Sequence, residues 1–416
     1  MNNQEKSEEI LAYALQNVPF YRDHWRSYDI NGHSVDERYR ALPVLTKADM
    51  RSCFPDGLVP VGTDVKKGLH DDVIEYTFTS GTTGEKVVNL WNQGWWHASE
   101  MASWKLNPNL EKLSYPPKQA TLASSLNVGI SCEEDLPMDH RIMGDLLYLN
   151  EKANILCWKD SHLQRMAREL NEYRPDVLEA NPSLLGRCCW YWLDHGIEVH
   201  SPKVITFTYE LPSKVSLSAI TQVFHCPIVS SYGTTETGFV MDSGLDGRYR
   251  QNEEYCRIDF VPLKGKERLG RIFVTTFGNP WAYIIRFDVG DLVVMDPDGT
   301  VGSIEGRVSN LTFTTKGEVV TTSMVDEAMS LVPGIRDYDV LQKAKDAYEV
   351  RIVASEGASS VRKAERMVEG LYGKDGVYDV AAVDDLLPGP SGKYRRTHVG
   401  FPFDEWTLTQ EEVKHA

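Results

Sequence analysis

Residues 79–84 place four hydroxyl side chains, Thr79, Ser80, Thr82 and Thr83, beside two glycines, Gly81 and Gly84. Glycines let a backbone approach an anion closely and turn its N–H groups inward, while hydroxyls add donors that can follow a shifting phosphate. A loop of this kind suits a triphosphate that binds and then loses pyrophosphate. β-Branched and aromatic runs at 73–78 and 87–91 flank it and predict a hairpin-like connection between two strands. A Walker loop needs a Lys-[Ser/Thr] pair opening a helix, whereas Lys86 is followed here by Val87 and Val88. A plain surface turn would use the same residue types, so the loop needs partners before it carries an activity.

Four further motifs supply them. Tyr232-Gly233-Thr234-Thr235-Glu236 follows a predicted strand at 228–231. At such a strand end an aromatic ring can stack on a purine, a hydroxyl can reach a phosphate, and a carboxylate can hold Mg²⁺. In the run 286–291, Asp291 can accept two hydrogen bonds from a vicinal diol such as ribose, because a carboxylate only accepts. Arg307, after Gly306, offers a guanidinium to ribose or phosphate oxygens. Lys393, after Gly392 on a basic stretch ending at Arg396, can place a point charge on an acyl or phosphate oxygen. Taken singly, these would also read as a β-turn, a turn aspartate, a surface arginine and a solvated basic tail.

The elements that must hold these residues follow from periodicity and punctuation. Residues 5–60 read as a helical cap, with Ile10, Ala14 and Leu15 at helical spacing and Pro43 and Pro60 in the turns. From 120 to 235 strands and helices alternate. Strands are predicted at 120–124, 154–158, 177–180, 204–207 and 228–231. Helices are predicted at 139–149, from Asp160 (Leu163, Met166, Ala167 and Leu170 on one face), from Asn181-Pro182 to His195, and from Pro212. This is the pattern of an α/β fold with a doubly wound, mainly parallel sheet, in which ligands bind beyond the strand C-termini. Runs at 271–277, 281–287 and 292–295 predict a small antiparallel β layer. Strands at 338–341 and 348–353 with a helix at 359–372 predict a small α+β lid. The expected domains are 1–307, binding nucleotide and acid, and 308–416, the mobile lid carrying Lys393.

Composition narrows the class. The 416 residues carry a net charge of −16, which repels nucleic acid and anionic membrane surfaces at long range, so neither is expected as a partner. No run approaches eighteen apolar residues and the first ten are polar and acidic, which predicts a cytoplasmic protein. The seven cysteines are scattered without a CxxC pair, so most are expected as buried small hydrophobes and not as a disulfide or zinc framework.

As a set, the 79–84 loop, the Tyr-Gly-x-Thr-Glu box, Asp291, Gly306-Arg307 and Gly392-Lys393 resemble the adenylate-forming enzyme superfamily along nearly the whole chain. The N-terminal residues 17–22, Leu42-Pro43 and Thr46-Lys47-Ala48-Asp49 are similar to phenylacetate-CoA ligases. The resemblance implies an ATP-dependent acid–thiol ligase. A carboxylate attacks the α-phosphorus of ATP, pyrophosphate leaves, and a thiol takes the acyl group from acyl-AMP. It gives the metal to Glu236, charge stabilisation to Lys393 and the α-phosphate contact to Thr235. Tyr232 and Gly233, with Tyr209 and Glu210, would receive the nucleotide, Asp291 and Arg307 the ribose, and residues 79–84 the β and γ phosphates. Cofactors implied are ATP, Mg²⁺ and coenzyme A or a carrier-protein phosphopantetheine. A lid hinge at 307–310 and a lid segment at 316–319 complete the pattern.

Departures from the family accompany the likeness. Ser309 and Asn310 stand where acidic residues usually follow the Gly-Arg pair, and Lys86-Val87 replaces a Pro-Lys after the phosphate loop. Residues 241–255 hold neither Cys nor His, so no zinc is expected there. Ser125, Asn127, Tyr209 and Gly233, with Leu126, Trp95 and Trp96, are candidates for the acid pocket, which would suit an aromatic or small cyclic carboxylic acid. Trp95 and Trp96 also fit a packing role. An acyl carrier protein as acceptor and a homodimeric state are both left open. A nucleotide-binding protein without ligase activity is the reading from a different class, and a P-loop hydrolase is disfavoured by the missing Lys-[Ser/Thr] pair.

Overall fold

The structure, a computed structural model, describes residues 1–28, 34–78 and 87–409, apart from the side chains of Asn127 and Val128. Its contacts gather into two compact units. One comprises 1–111, 231–304 and the chain from 404; the other comprises 112–230 and 305–403.

In the first unit, short helices begin where the sequence supplies reciprocal caps: Asn2 with Glu5 for Asn3–Asn17, Ser34 with Glu37 for Val35–Ala41, and Thr46 with Asp49 for Lys47–Cys53. Each cap satisfies backbone N–H groups that a first helical turn leaves unpaired, which makes the seven-residue helices Val35–Ala41 and Lys47–Cys53 tenable. Tyr21, Trp25 and Tyr39 are fully buried beneath them. The strands Cys256–Leu263, Lys266–Thr276 and Phe287–Met295 form the expected antiparallel layer. Residues 281–286 are not a strand. Their backbone is taken up singly by other segments: Tyr283 N–H donates to Leu58 O, Ile285 N–H to the Tyr21 hydroxyl, and Arg286 O accepts from Leu45 N–H. The chain also returns to this unit at its end. Lys264 N–H donates to Leu408 O at 2.8 Å, and the guanidinium of Arg271 lies 3.8 Å from the centre of the Trp406 ring.

The second unit contains the parallel sheet. Strands Gln119–Leu122, Val177–Ala180, Val204–Phe207 and the start of Ile228–Thr234 pair in parallel, with Leu146–Tyr148 parallel on the other side of the first. Helices Asp160–Tyr173, Pro182–Asp194 and Lys214–Val223 connect them. Leu163, Met166, Ala167 and Leu170 are buried as their spacing predicts, in a core shared with Leu178, Leu184, Trp192 and Phe207. A second core gathers Val325, Tyr338, Val350 and Val368 around the antiparallel strands Ile335–Ala344 and Ala347–Ala354 and the helix Ala358–Tyr372. Val215, on the connecting helix at 214–223, is part of that same core.

Two segments of this unit depart from expectation. Residues 139–149 are not a helix but a 3-10 turn, Met138–Arg141, and a hairpin of Ile142–Met143 with Leu146–Tyr148, turning at Gly144 with φ 62°. Pairing of 146–148 with the sheet and the burial of Arg141 outweigh local propensity there. Residues 154–158 are not a strand either. Asn154 accepts from Leu156 N–H and opens a 3-10 turn, Ile155–Cys157, while Ile155 and Trp158 go into the core. The helix expected from Pro212 starts at Lys214, because the Ser213 hydroxyl caps it. Only Cys188, Cys189 and Cys256 are buried; Cys53 and Cys226 are half-buried, and Cys132 and Cys157 are exposed. Among the described residues no helix is long and apolar enough to cross a membrane.

Candidate active site

The strands Glu75–Phe78 and Val88–Trp91, on either side of the hydroxyl-rich run, pair antiparallel with Phe78 opposite Val88. Thr79, Ser80, Gly81, Thr82, Thr83, Gly84 and Lys86 themselves lie outside the described residues.

The Tyr-Gly-x-Thr-Glu box forms the end of Ile228–Thr234 and the turn into Gly238–Ser243. Gly233 has a steric reason: a Cβ there would stand 2.2 Å from Gly238 O, at the irregularity between Tyr232 and Gly233. Gly238, at φ 66°, leaves room for the Trp95 ring, which a Cβ would meet at 2.9 Å. The turn is tightened by the Thr234 and Thr237 hydroxyls, 3.0 Å apart, and carries Thr235 and Glu236. Tyr232 and Asp291 meet: the phenol donates to Asp291 Oδ2 at 2.8 Å, fixing a carboxylate on Phe287–Met295 in register with the box. Glu236 is buried with Oε1 lacking a hydrogen-bond partner, and Lys47 Nζ stands 4.0 Å from that oxygen. A buried carboxylate oxygen without a donor carries a desolvation cost that a cation can offset. Trp95 and Trp96 are packed within this unit. The Trp95 indole donates to Phe277 O at 2.8 Å, and the Trp96 ring lies 4.0 Å from that of Trp91.

On the strand beyond the turn, Asp242 is fully buried. Burial pushes its carboxyl up to about 6, against the pull of the Ser231 and Ser103 hydroxyls. An acid whose folded-state value is raised binds its proton more tightly when folded, so its contribution to stability falls as pH rises between about 4 and 6 and stays low above. Asp242→Asn is therefore expected to stabilise the chain above pH 7 by ~1–3 kcal/mol and to have little effect at pH 4. Urea unfolding at the two pH values measures it; an equal effect at both would contradict the assignment.

In the second unit a different group of the expected residues converges. Glu210, after the strand Val204–Phe207, accepts from the Ser183 hydroxyl at 2.6 Å through Oε2 and from the Tyr394 N–H at 2.9 Å through Oε1. Lys393 stands immediately before that amide, in a turn where Gly389 N–H donates to Lys393 O at 3.0 Å and Gly392 adopts φ 74°. Arg396 is buried. It donates to Ser183 Oγ at 3.2 Å and pairs with Asp337 at 3.3 Å. Burial opposes its charge, but Asp337, Tyr338 and Glu210 more than compensate and hold the guanidinium above its ordinary value. Tyr209 has φ 73°, and burial, then the Glu179 carboxyl beside it, raises its phenol. Ser125 is committed elsewhere, its hydroxyl donating to Ala153 O at 2.8 Å. Arg307 ends the strand Val301–Arg307. Gly306 before it has φ 97°, and a Cβ there would meet Thr322 at 2.9 Å. The expected hinge is a 3-10 turn, Val308–Asn310, in which Arg395 donates to Asn310 Oδ1 and Ser309 O, the two residues that depart from the family pattern. The expected lid segment at 316–319 is a hairpin turn with Gly317 at φ 85°.

Four residues that sequence reasoning passed over belong to these clusters. Lys47 lay within a quoted motif without a role. Ser183 and Arg396 left no sequence signal of their contact, which spans 213 positions. Glu179 did leave one. It is a lone carboxylate in the otherwise apolar strand Val177–Ala180, its carboxyl raised by burial and held by Thr208 and Gln119 at 2.9 Å each.

No family model matches the chain. Protein CapK of Staphylococcus aureus is 20% identical over 414 residues, covering 94% of this chain and 87% of that protein. The crystal structure of 2-hydroxyisobutyryl-CoA ligase in the postadenylation state, in complex with 2-HIB-AMP, superposes with a TM-score of 0.72 at 15% identity, covering 95% of this chain and 88% of its own. Anthranilate CoA ligase AuaEII in complex with anthranoyl-AMP gives 0.54 at 11% identity, covering 78% and 65%. The chain has the fold of the adenylate-forming acyl-CoA ligases.

Proposed function

We propose that the protein is an ATP-dependent acid–thiol ligase that activates a carboxylic acid as acyl-AMP and transfers the acyl group to coenzyme A. The observation that carries this reading is the strand-end pair Tyr232–Asp291 beside a turn whose Glu236 keeps a buried oxygen without a hydrogen-bond partner, 4.0 Å from Lys47 Nζ. Those are the positions at which the family pattern asks for a purine platform, a ribose acceptor and a metal ligand. The fold shared with ligases whose structures contain acyl-AMP supports the same chemistry.

In this reading Asp291 holds the ribose diol, Tyr232 stacks on adenine, and Thr235 and the 79–84 hydroxyls orient the phosphates. Arg307 reaches the ribose. Mg²⁺, held by Glu236, would supply charge neutralisation on the phosphates. Lys393 stabilises the negative charge that builds as the acid oxygen attacks the α-phosphorus and pyrophosphate departs, a task for a fixed cation in a water-poor site. The lid, from 308, then turns about 307–310, withdraws Lys393 and admits the thiol, while closure keeps water from the anhydride. Tyr209, with the backbone around Ser125, is assigned to the acid pocket. We assign an aromatic or small cyclic acid to it, of the kind used by phenylacetate-CoA ligases, and place the reaction in the cytoplasm.

The test is thioester formation by the purified chain with ATP, Mg²⁺, coenzyme A and a panel of aromatic, cyclic and short aliphatic acids. Acyl-CoA from at least one aromatic or cyclic acid is expected. Acyl-AMP that accumulates without passing to coenzyme A would assign the acceptor to a carrier-protein thiol instead. ATP bound without any acid-dependent product would favour the nucleotide-binding reading.

A further inference from the structure

Lys393 sits on a glycine-flanked loop, and a flexible loop cannot by itself hold an ammonium to the tolerance that transition-state stabilisation needs. The loop is nevertheless tied at both sides of the lysine. On one side Lys393 O accepts from Gly389 N–H within the turn. On the other, the amide of Tyr394 donates to Glu210, a residue 184 positions away. Glu210 is itself oriented: its second oxygen takes the Ser183 hydroxyl at 2.6 Å, and Ser183 Oγ accepts from Arg396 at 3.2 Å. Ser183 is fixed in turn, because Asn181 Oδ1 accepts from its N–H at 2.9 Å at the start of Pro182–Asp194. The chain Arg396–Ser183–Glu210–Tyr394 therefore starts and ends on the basic C-terminal stretch and passes through two residues of the 177–210 segment.

Resting on the ligase reading above, we propose that Ser183 and Glu210 are positioning residues for Lys393, forming a clamp engaged during adenylation and released when the lid turns. Its composition fits a contact that must break. Two of its links join residues of the central segment to residues of the lid, and both are hydrogen bonds to groups that water can satisfy after separation. Asp337 lies on Ile335–Ala344, in the same part of the chain as Arg396, so the buried cation keeps its counter-charge when the clamp opens. Glu210 thus acts through Tyr394 and Lys393 and need not touch the nucleotide.

Ser183→Ala and Glu210→Gln separate this role from a structural one. The first removes the donor that orients Glu210; the second removes the charge from the acceptor of the Tyr394 amide. Both are expected to lower kcat for acid-dependent ATP–pyrophosphate exchange by about tenfold to a hundredfold. In Ser183→Ala, KM for ATP should change less than about twofold, as should thioester formation from supplied acyl-AMP, because Lys393 has left by then. Ser183→Thr, which keeps the hydroxyl, should recover most of the exchange. Amide hydrogen exchange gives a readout independent of turnover: protection of the 389–394 segment should fall in both variants. Equal loss in both half-reactions, or unchanged protection at 389–394, would overturn the clamp while the wild-type ligase activity stands. A wild-type chain that exchanges pyrophosphate with no acid would overturn the ligase reading and the role of Lys393 with it.

Discussion

Lys393→Ala is expected to lower acid-dependent pyrophosphate exchange by on the order of a hundredfold or more while changing thioester formation from supplied acyl-AMP less than about twofold. The asymmetry is the informative part. In the ligase we propose, a cation aimed at the α-phosphate and the departing pyrophosphate acts only while phosphorus is attacked, and the lid that carries it would have to leave before a thiol reaches the acyl group. The fixed turn around the lysine, closed by Gly389 N–H and Gly392, argues that its charge is placed and not merely nearby. Exchange and thioester assays on one preparation of the variant decide it. Equal loss of both steps would contradict a lysine that serves one half-reaction.

The second large effect concerns stability. Arg141 is fully buried, donating to Leu136 O at 2.8 Å, to Tyr148 O and to Glu169, while Arg165 donates to Glu169 and Asp135 beside it. Asp135 in turn accepts from the N–H groups of Lys152 and Glu151 at 2.9 and 3.1 Å. Arg141→Met would strip one of two cations from two buried carboxylates and leave two backbone carbonyls unpaired. Removing one partner of such a network costs about 3–5 kcal/mol, so the urea midpoint should fall accordingly. Arg141→Lys should recover little, since an ammonium cannot reproduce the planar fork that reaches three acceptors. A loss below about 1 kcal/mol would mean that Arg165 alone satisfies both acids.

That network also explains where sequence reasoning stopped. Residues 139–149 carry apolar side chains at plausible helical spacing, but their conformation is set by a buried arginine and by strand pairing at 146–148, neither of which local propensity reports. Residues 281–286 failed for the same reason in another form, since Tyr283, Ile285 and Arg286 bond through their backbone to Leu58, Tyr21 and Leu45 in the N-terminal segment. By contrast, Asp160–Tyr173 and Pro182–Asp194 were legible because an acidic first residue or an Asn-Pro entry coincided with a periodic apolar face. Val177–Ala180 and Val204–Phe207 were legible as short apolar runs between turn signals.

The site divides along similar lines. Tyr232, Gly233, Glu236, Asp291, Gly306 and Lys393 sit in short motifs, where residue type and spacing suggest the chemistry proposed for them. What orients them was not readable. The Tyr232–Asp291 bond, the approach of Lys47 to Glu236 and the Ser183–Glu210–Tyr394 chain join residues 27 to 189 positions apart. Serine at the second position of a helix looks like any other capping-region serine until its hydroxyl is seen to serve Glu210.

Acid-dependent exchange of labelled pyrophosphate into ATP tests the central claim most directly. The account predicts label in ATP when Mg²⁺ and a suitable aromatic or cyclic acid are both present, none without the acid, and almost none in Lys393→Ala. ATP cleaved to ADP without acid, or ATP bound but never exchanged across a broad panel, would contradict it.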